Sequence, residues 1–118
     1  MKPDDLLPLQ EPTFYILLSL VEGEEHGYAI LKDVADLSGG RLQLGTGTLY
    51  GALSRLLEQR LIQRAANGHP AGGDDEPAGR AVKAYVLTHG GRQVLHAEAG
   101  RLEGLLAAAR LRLGQEGA

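Results

Sequence analysis

Residues 45–57, reading GTGTLYGALSRLL, put hydroxyls, a phenol and a guanidinium on one side of a helical pattern and leucines on the other. At about 100° per residue, Leu49, Leu53 and Leu56 fall on one face, flanked by Ala52 and Leu57. Gly47, Gly51 and Ser54 fall opposite, bordered by Thr48, Tyr50 and Arg55. Small residues let a helix backbone approach a neighbouring surface, and hydroxyls and arginine reach phosphate oxygens or base edges. First-turn amide N–H groups have no intrahelical partner and can also face a phosphate. This chemistry is recognition of an anionic surface rather than making or breaking bonds.

Catalytic alternatives fail on residue type or spacing. A dinucleotide fingerprint needs a third glycine where Tyr50 stands, and a phosphate-binding loop needs a Gly-Lys pair that is absent. There is no cysteine, which excludes thiolate nucleophiles, disulfides and thiolate metal sites. Ser19, Ser38 and Ser54 lack a nucleophile-elbow context, and His26 and His89 fit no triad. His26, at a helix start, reads as structural. His69 and Asp74-Asp75-Glu76 lie in a Gly/Pro-rich segment without rigid ligand spacing. The expectation is a protein that is not an enzyme, with no catalytic residue, no metal and no cofactor.

The elements that would hold this helix follow from periodicity. Residues 12–22 read as a short, mostly buried helix with Pro12 in its first turn. Residues 26–37 carry Ile30, Leu31, Val34 and Leu37 at amphipathic spacing, and Ser38-Gly39-Gly40 stops them as a glycine cap. A third helix runs from Thr46 to about Gln59-Arg60. Residues 61–65 and 82–87 read as two strands joined by a Gly/Pro-rich loop, a hairpin. Thr88 caps a last helix with a stripe of Leu95, Leu102, Leu105, Leu106, Ala109 and Leu113. Helix, helix, helix, hairpin, helix is the winged helix-turn-helix order, in which the third helix enters a DNA major groove and the hairpin lies along the backbone.

The 118 residues make one ordinary domain with an aliphatic core: one Phe, no Trp and four Tyr. Net charge is −3, unhelpful for a polyanion partner, but charge is unevenly placed. Residues 1–40 carry two basic and eight acidic side chains, residues 41–73 four and one, and residues 77–115 six and two. A basic middle and C-terminal part is compatible with local anion binding. Neither a signal peptide nor an apolar run of membrane-crossing length is visible, so the expected location is cytoplasmic, with no membrane partner.

His26-Gly27-Tyr28, Ser38-Gly39-Gly40, Gly47-Thr48-Leu49-Tyr50 with Ala52-Leu53 and Leu56, Leu61-Ile62, Gly79-Arg80 with Lys83, Tyr85, Leu87-Thr88 and Gly91-Arg92 occur in an order and spacing that resemble the PadR family of bacterial transcriptional regulators over residues 12–115. The resemblance implies winged-helix homodimers that bind operator DNA, usually as repressors, many of them responsive to small hydrophobic molecules. It places Gly47, Thr48, Leu49 and Tyr50 on the recognition-helix signature. The family usually has proline before that glycine and after that tyrosine, where this chain has Thr46 and Gly51. The wing, Gly79-Arg80-Ala81-Val82-Lys83-Ala84-Tyr85, is short of at least one basic residue. Arg60 stands where the family often has a helix-ending glycine, which implies a left-handed backbone there at about 1 kcal/mol.

The expectation is therefore a mainly α (α+β) protein with two parts. Residues 1–87 form a winged helix-turn-helix DNA-binding domain with a two-stranded wing, and residues 88–118 a C-terminal dimerisation helix. DNA contacts are assigned to Thr46, Gly47, Thr48, Tyr50, Ser54, Arg55, Arg64, Arg80 and Lys83. Dimer contacts are assigned to Phe14, Leu17, Leu95, Leu102, Leu105, Leu106 and Leu113. Partners are double-stranded operator DNA with inverted-repeat half-sites, a second copy of the chain, and a small-molecule effector, although few aromatic residues are available to line a drug pocket. The acids Asp74-Asp75-Glu76 would repel phosphates: the loop points away, or is disordered, or DNA binding is weak. The competing class is a winged-helix module for protein partners without operator binding, favoured by the negative net charge and that acidic loop.

Overall fold

The computed structural model describes residues 2–65 and 83–116. Each helix is held by the apolar face that its periodicity predicts. Helix α1 (Glu11–Ser19) has Pro12 in its first turn, where the missing N–H is not needed, and buries Ile16 and Leu17. Helix α2 (Gly27–Leu37) buries Ile30 and Val34. Helix α3 (Thr46–Glu58) buries Leu49, Ala52, Leu53 and Leu56. These residues join Leu20, Leu61, Ile62, Tyr85, Val94 and Leu95 in one core.

The turn between α2 and α3 is made by Gly39 (φ 65°) and Gly40 (φ 83°), left-handed conformations that glycine adopts without strain. Ser38 braces it, donating to the Ala35 carbonyl and accepting from the Leu42 amide at 2.9 Å. Arg60 does carry a positive φ, 61°. Its strained backbone turns the chain from α3 into the sheet, and the Arg60 carbonyl accepts a hydrogen bond from Thr88 Oγ1 at 2.8 Å.

The two strands expected of the wing pair, and a short third strand extends their sheet. Strands β2 (Ile62–Arg64) and β3 (Ala84–Leu87) pair antiparallel, with Gln63 opposite Val86. A third strand, β1 (Glu25–His26), adds to the other edge of β3, giving the order β1-β3-β2. Two residues carry no readable alternation, so β1 is invisible to pattern. His26 then caps α2, its Nδ1 accepting from the Ala29 amide at 3.4 Å, the structural role expected of it.

Thr88 caps α4 (His89–Glu116), its hydroxyl accepting from the Gly91 amide at 3.0 Å. A Cβ at Gly91 would collide with the Leu61 carbonyl and with Leu87 Cδ1, so glycine there lets α4 seat directly on the sheet. From Gly91 to Glu98 the helix is part of the core: Val94, Leu95 and Glu98 are all buried. Residues 102–116 are exposed throughout. The change from globular body to projecting arm therefore falls within α4, near residue 99, rather than at its start.

Glu98 ties the N-terminal segment to this junction. Its carboxylate, 2 % exposed, accepts the Leu9 amide at 2.9 Å and two bonds from the Arg101 guanidinium at 2.5 and 3.0 Å. Ahead of Leu9, a 3-10 turn (Pro3–Leu6) packs against α4. The Arg101 bonds, reinforced by the Leu9 amide and opposed by burial, hold the Glu98 carboxyl below its ordinary value. A depressed carboxylate stabilises the fold above its unfolded pKa and loses that contribution as pH falls through the folded one. Urea midpoints measured on acidification below about pH 4 should therefore fall, and Glu98→Gln, less stable at neutral pH, should show a shallower decline.

Candidate nucleic-acid interface

Helix α3 is gripped by one side only. Leu49, one turn from its start, is fully buried. Thr46, Gly47, Thr48, Ser54 and Arg55 are all exposed, and Gly51 is half-buried. The Gly45 N-cap offers no side-chain acceptor to the first-turn amides. They point out of the end of the helix, where its dipole favours negative charge.

Among the described residues, nothing requires the glycines of this face. A Cβ at Gly47 would meet no atom of the described residues within 4 Å. At Gly51 it would touch only the Arg55 Nη1, at an ordinary 3.8 Å. Neither has the positive φ that favours glycine. Each costs about 1 kcal/mol of helix propensity relative to alanine without internal compensation. The Arg55 guanidinium folds back along the helix towards Gly51, placing its charge on the same face as Ser54.

Tyr50 stands at the edge of the face, 44 % exposed, with its ring against the first residue of α2. A Cβ on Gly27 would clash with the Tyr50 hydroxyl and lie 3.0 Å from its Cζ. Sequence reasoning placed Tyr50 at the DNA border but overlooked Gly27. The signal was present in the His26-Gly27-Tyr28 triplet, where a glycine opens a helix without needing a special φ.

Arg64 of β2 and Lys83, just ahead of β3, are exposed, and Arg64 sits opposite Tyr85 in the ladder. Tyr85, 2 % exposed, has its phenol pushed up by burial and by the nearby Tyr50, with Arg64 opposing. The ladder thus puts Arg64 against Tyr85, and β2 packs against α3. Arg80, His69 and Asp74-Asp75-Glu76 lie outside the described residues. No cluster of His, Asp or Glu able to hold a metal ion occurs among the described residues. No described helix is long and apolar enough to cross a membrane.

Two residues assigned to a dimer contact belong elsewhere. Leu17 is 0 % and Leu95 6 % exposed within a single chain, both inside the core, so neither has surface left for a partner. Phe14 is half-buried, edge-on to Tyr15. Leu102, Leu105, Leu106 and Leu113 are exposed. They continue, at helical spacing, the stripe that Gly91, Val94, Leu95 and Glu98 bury. Leu111 is also exposed but lies on the opposite side.

A three-helix core with a small antiparallel sheet and a long last helix defines a winged helix-turn-helix protein. The sequence profile of the transcriptional regulator PadR-like family matches residues 16–97, and the chain belongs to that family of transcriptional regulators. A PadR family transcription regulator from Clostridium difficile superposes with a TM-score of 0.67 at 22 % identity, covering 88 % of this chain and 99 % of that one. Bacillus subtilis PadR, in a structure with operator DNA, superposes with a TM-score of 0.60 at 24 % identity, covering 76 % of this chain and 47 % of that one. An uncharacterised 37.1 kDa protein in a Streptomyces fradiae transposon is 38 % identical over 84 residues. That match covers 71 % of this chain, which spans about a fifth (21 %) of the relative's length.

If Arg64 and Lys83 sit on phosphates, Arg64→Ala and Lys83→Ala should each weaken binding to every duplex alike. Each should lower the slope of log affinity against log salt by about one. Unchanged slopes in both variants would remove the sheet edge from the interface.

Proposed function

We propose that the chain is a homodimeric, sequence-selective DNA-binding repressor acting on an inverted-repeat operator. In this reading α3 enters the major groove. Thr48, Ser54 and Arg55 face base edges or phosphates, and Thr46 and Gly47 present the first-turn amides to the backbone. Arg64 and Lys83, with Arg80, hold the flanking phosphates. The observation that carries the reading is the exposed face of α3, whose glycines meet, among the described residues, nothing closer than the Arg55 guanidinium at an ordinary contact distance. Membership of a regulator family supports it, as does the superposition on a protein held with operator DNA.

The arm of α4 supports the dimer. Leu102, Leu105, Leu106 and Leu113 form an apolar stripe beyond the reach of the protomer's own core. Pairing with the same helix of a second copy, with Phe14 at the base, would cover it by a two-fold contact. Two recognition helices would then sit about one DNA turn apart. Relief by a small hydrophobic effector belongs to this reading through the family resemblance. Two clefts, about 460 and 470 Å³, are lined by Leu6, Leu9 and Arg55 and by Leu7, Ala97 and Arg101. Neither offers an aromatic ring for stacking.

Mobility shift with the DNA upstream of the chain's own gene, over a salt series, tests the reading. Salt-sensitive binding that discriminates against a scrambled duplex is expected, and Leu106→Asp should sediment as a monomer with that selectivity lost. No shift at low salt would contradict DNA recognition and favour a protein partner. A stable Leu106→Asp dimer would contradict the role of the arm.

A further inference from the structure

Gly27 is buried at the first position of α2, immediately after β1 pairs with β3 through Glu25 opposite Tyr85 and His26 opposite Ala84. Its backbone needs no glycine, since its φ is not positive. What a side chain there would displace is Tyr50, whose hydroxyl occupies the place of a Cβ and whose Cζ and Cε1 stand 3.0 and 3.6 Å from it. Among the described glycines, only Gly27 and Gly91 are blocked this tightly, and Gly91 is blocked by the fold's own strand and backbone. At Gly27 the blocking group comes from the candidate recognition helix.

Tyr50 therefore links two elements. Its Cα belongs to the first turn and a half of α3, and its ring end lies at the β1–α2 junction. This is the weak end of α3, with Gly47 and Gly51 on either side and no proline to stiffen it. Leu49 fixes that turn to the core but leaves rotation about the buried stripe to be set by contacts at its edges. The Tyr50 ring is such an edge contact, seated on α2.

We propose that Tyr50 is a positioning residue rather than a base reader. Its ring is a wedge, received by the missing side chain of Gly27, that fixes the head of α3 relative to α2. The inference rests on the reading of α3 as the DNA-contacting helix and deepens it. A side chain at Gly27 pushes the wedge outward and turns the α3 face out of register with the groove. Selective contacts depend on that register, whereas phosphate attraction, which tolerates displacement, depends on it little.

The test compares wild type, Gly27→Ala, Tyr50→Phe and the double variant for melting temperature. Affinities are measured for the selected upstream duplex and for a scrambled duplex. Gly27→Ala should lose about tenfold on the selected duplex and less than about twofold on the scrambled one. Tyr50→Phe, which keeps the ring and removes the blocking oxygen, should stay within about threefold of wild type on both, and the double variant should regain most of the Gly27→Ala loss. Tyr50→Phe alone losing as much as Gly27→Ala would make the hydroxyl a DNA contact and overturn the proposal. A double variant no better than Gly27→Ala would do the same. Should Gly27→Ala not fold, recovery of a folded protein in the double variant supports the wedge, and continued misfolding refutes it. If wild type binds no DNA, the functional reading fails on its own. The wedge is then judged by melting temperature: the Gly27→Ala loss is restored by Tyr50→Phe if the contact exists, and not otherwise.

Discussion

The burial of Leu49 is the contact on which the remainder depends. The head of α3 is built from Thr46, Gly47 and Thr48, residues that favour coil over helix. Left to itself this turn would fray. Leu49 sits at 0 % exposure among the core leucines and isoleucines of α1, α2 and the sheet. Full burial of such a side chain contributes about 1.5–3 kcal/mol, enough to offset the propensity cost of the glycines near it. With one face secured this way, the other can remain thin and polar. The α2–α3 turn, the left-handed Arg60 and the wing all serve to set the ends of that single helix.

The same division, one side held and the other offered, recurs in α4. Its first two turns complete the protomer's core, with Gly91 allowing close seating and Glu98 anchoring the N-terminal segment. Its later turns carry an unchanged apolar stripe into solvent. An arm of this kind is stabilised by whatever covers the stripe. Arg110 and Arg112, both exposed along it, keep an otherwise leucine- and alanine-rich helix well hydrated.

Much of this fold was legible because the helices are amphipathic and well punctuated. Pro12, Ser38-Gly39-Gly40 and Thr88 marked element ends by mechanisms that the structure reproduces. The left-handed Arg60 followed from its resemblance to a glycine position. Strand β1 was not legible: two residues have no period, and their strand character comes entirely from pairing with β3. The 3-10 turn at Pro3–Leu6 owes its place to α4 and the Glu98 carboxylate, contacts far away in sequence. Leu17 and Leu95 were misplaced because a leucine stripe reveals that a face is buried, not which chain buries it. The exposed set on α3 was readable from spacing alone, whereas the Gly27–Tyr50 contact is a steric relation between residues 23 apart and needs coordinates to be seen.

The central claim is that α3 lies in the major groove by its glycine-lined face. Dimethyl sulfate modification of guanine N7, a major-groove atom, tests it directly on the selectively shifted duplex. Bound protein should protect two groups of guanines centred about one helical turn apart. A duplex that still shifts selectively while every guanine N7 stays fully reactive would contradict the claim.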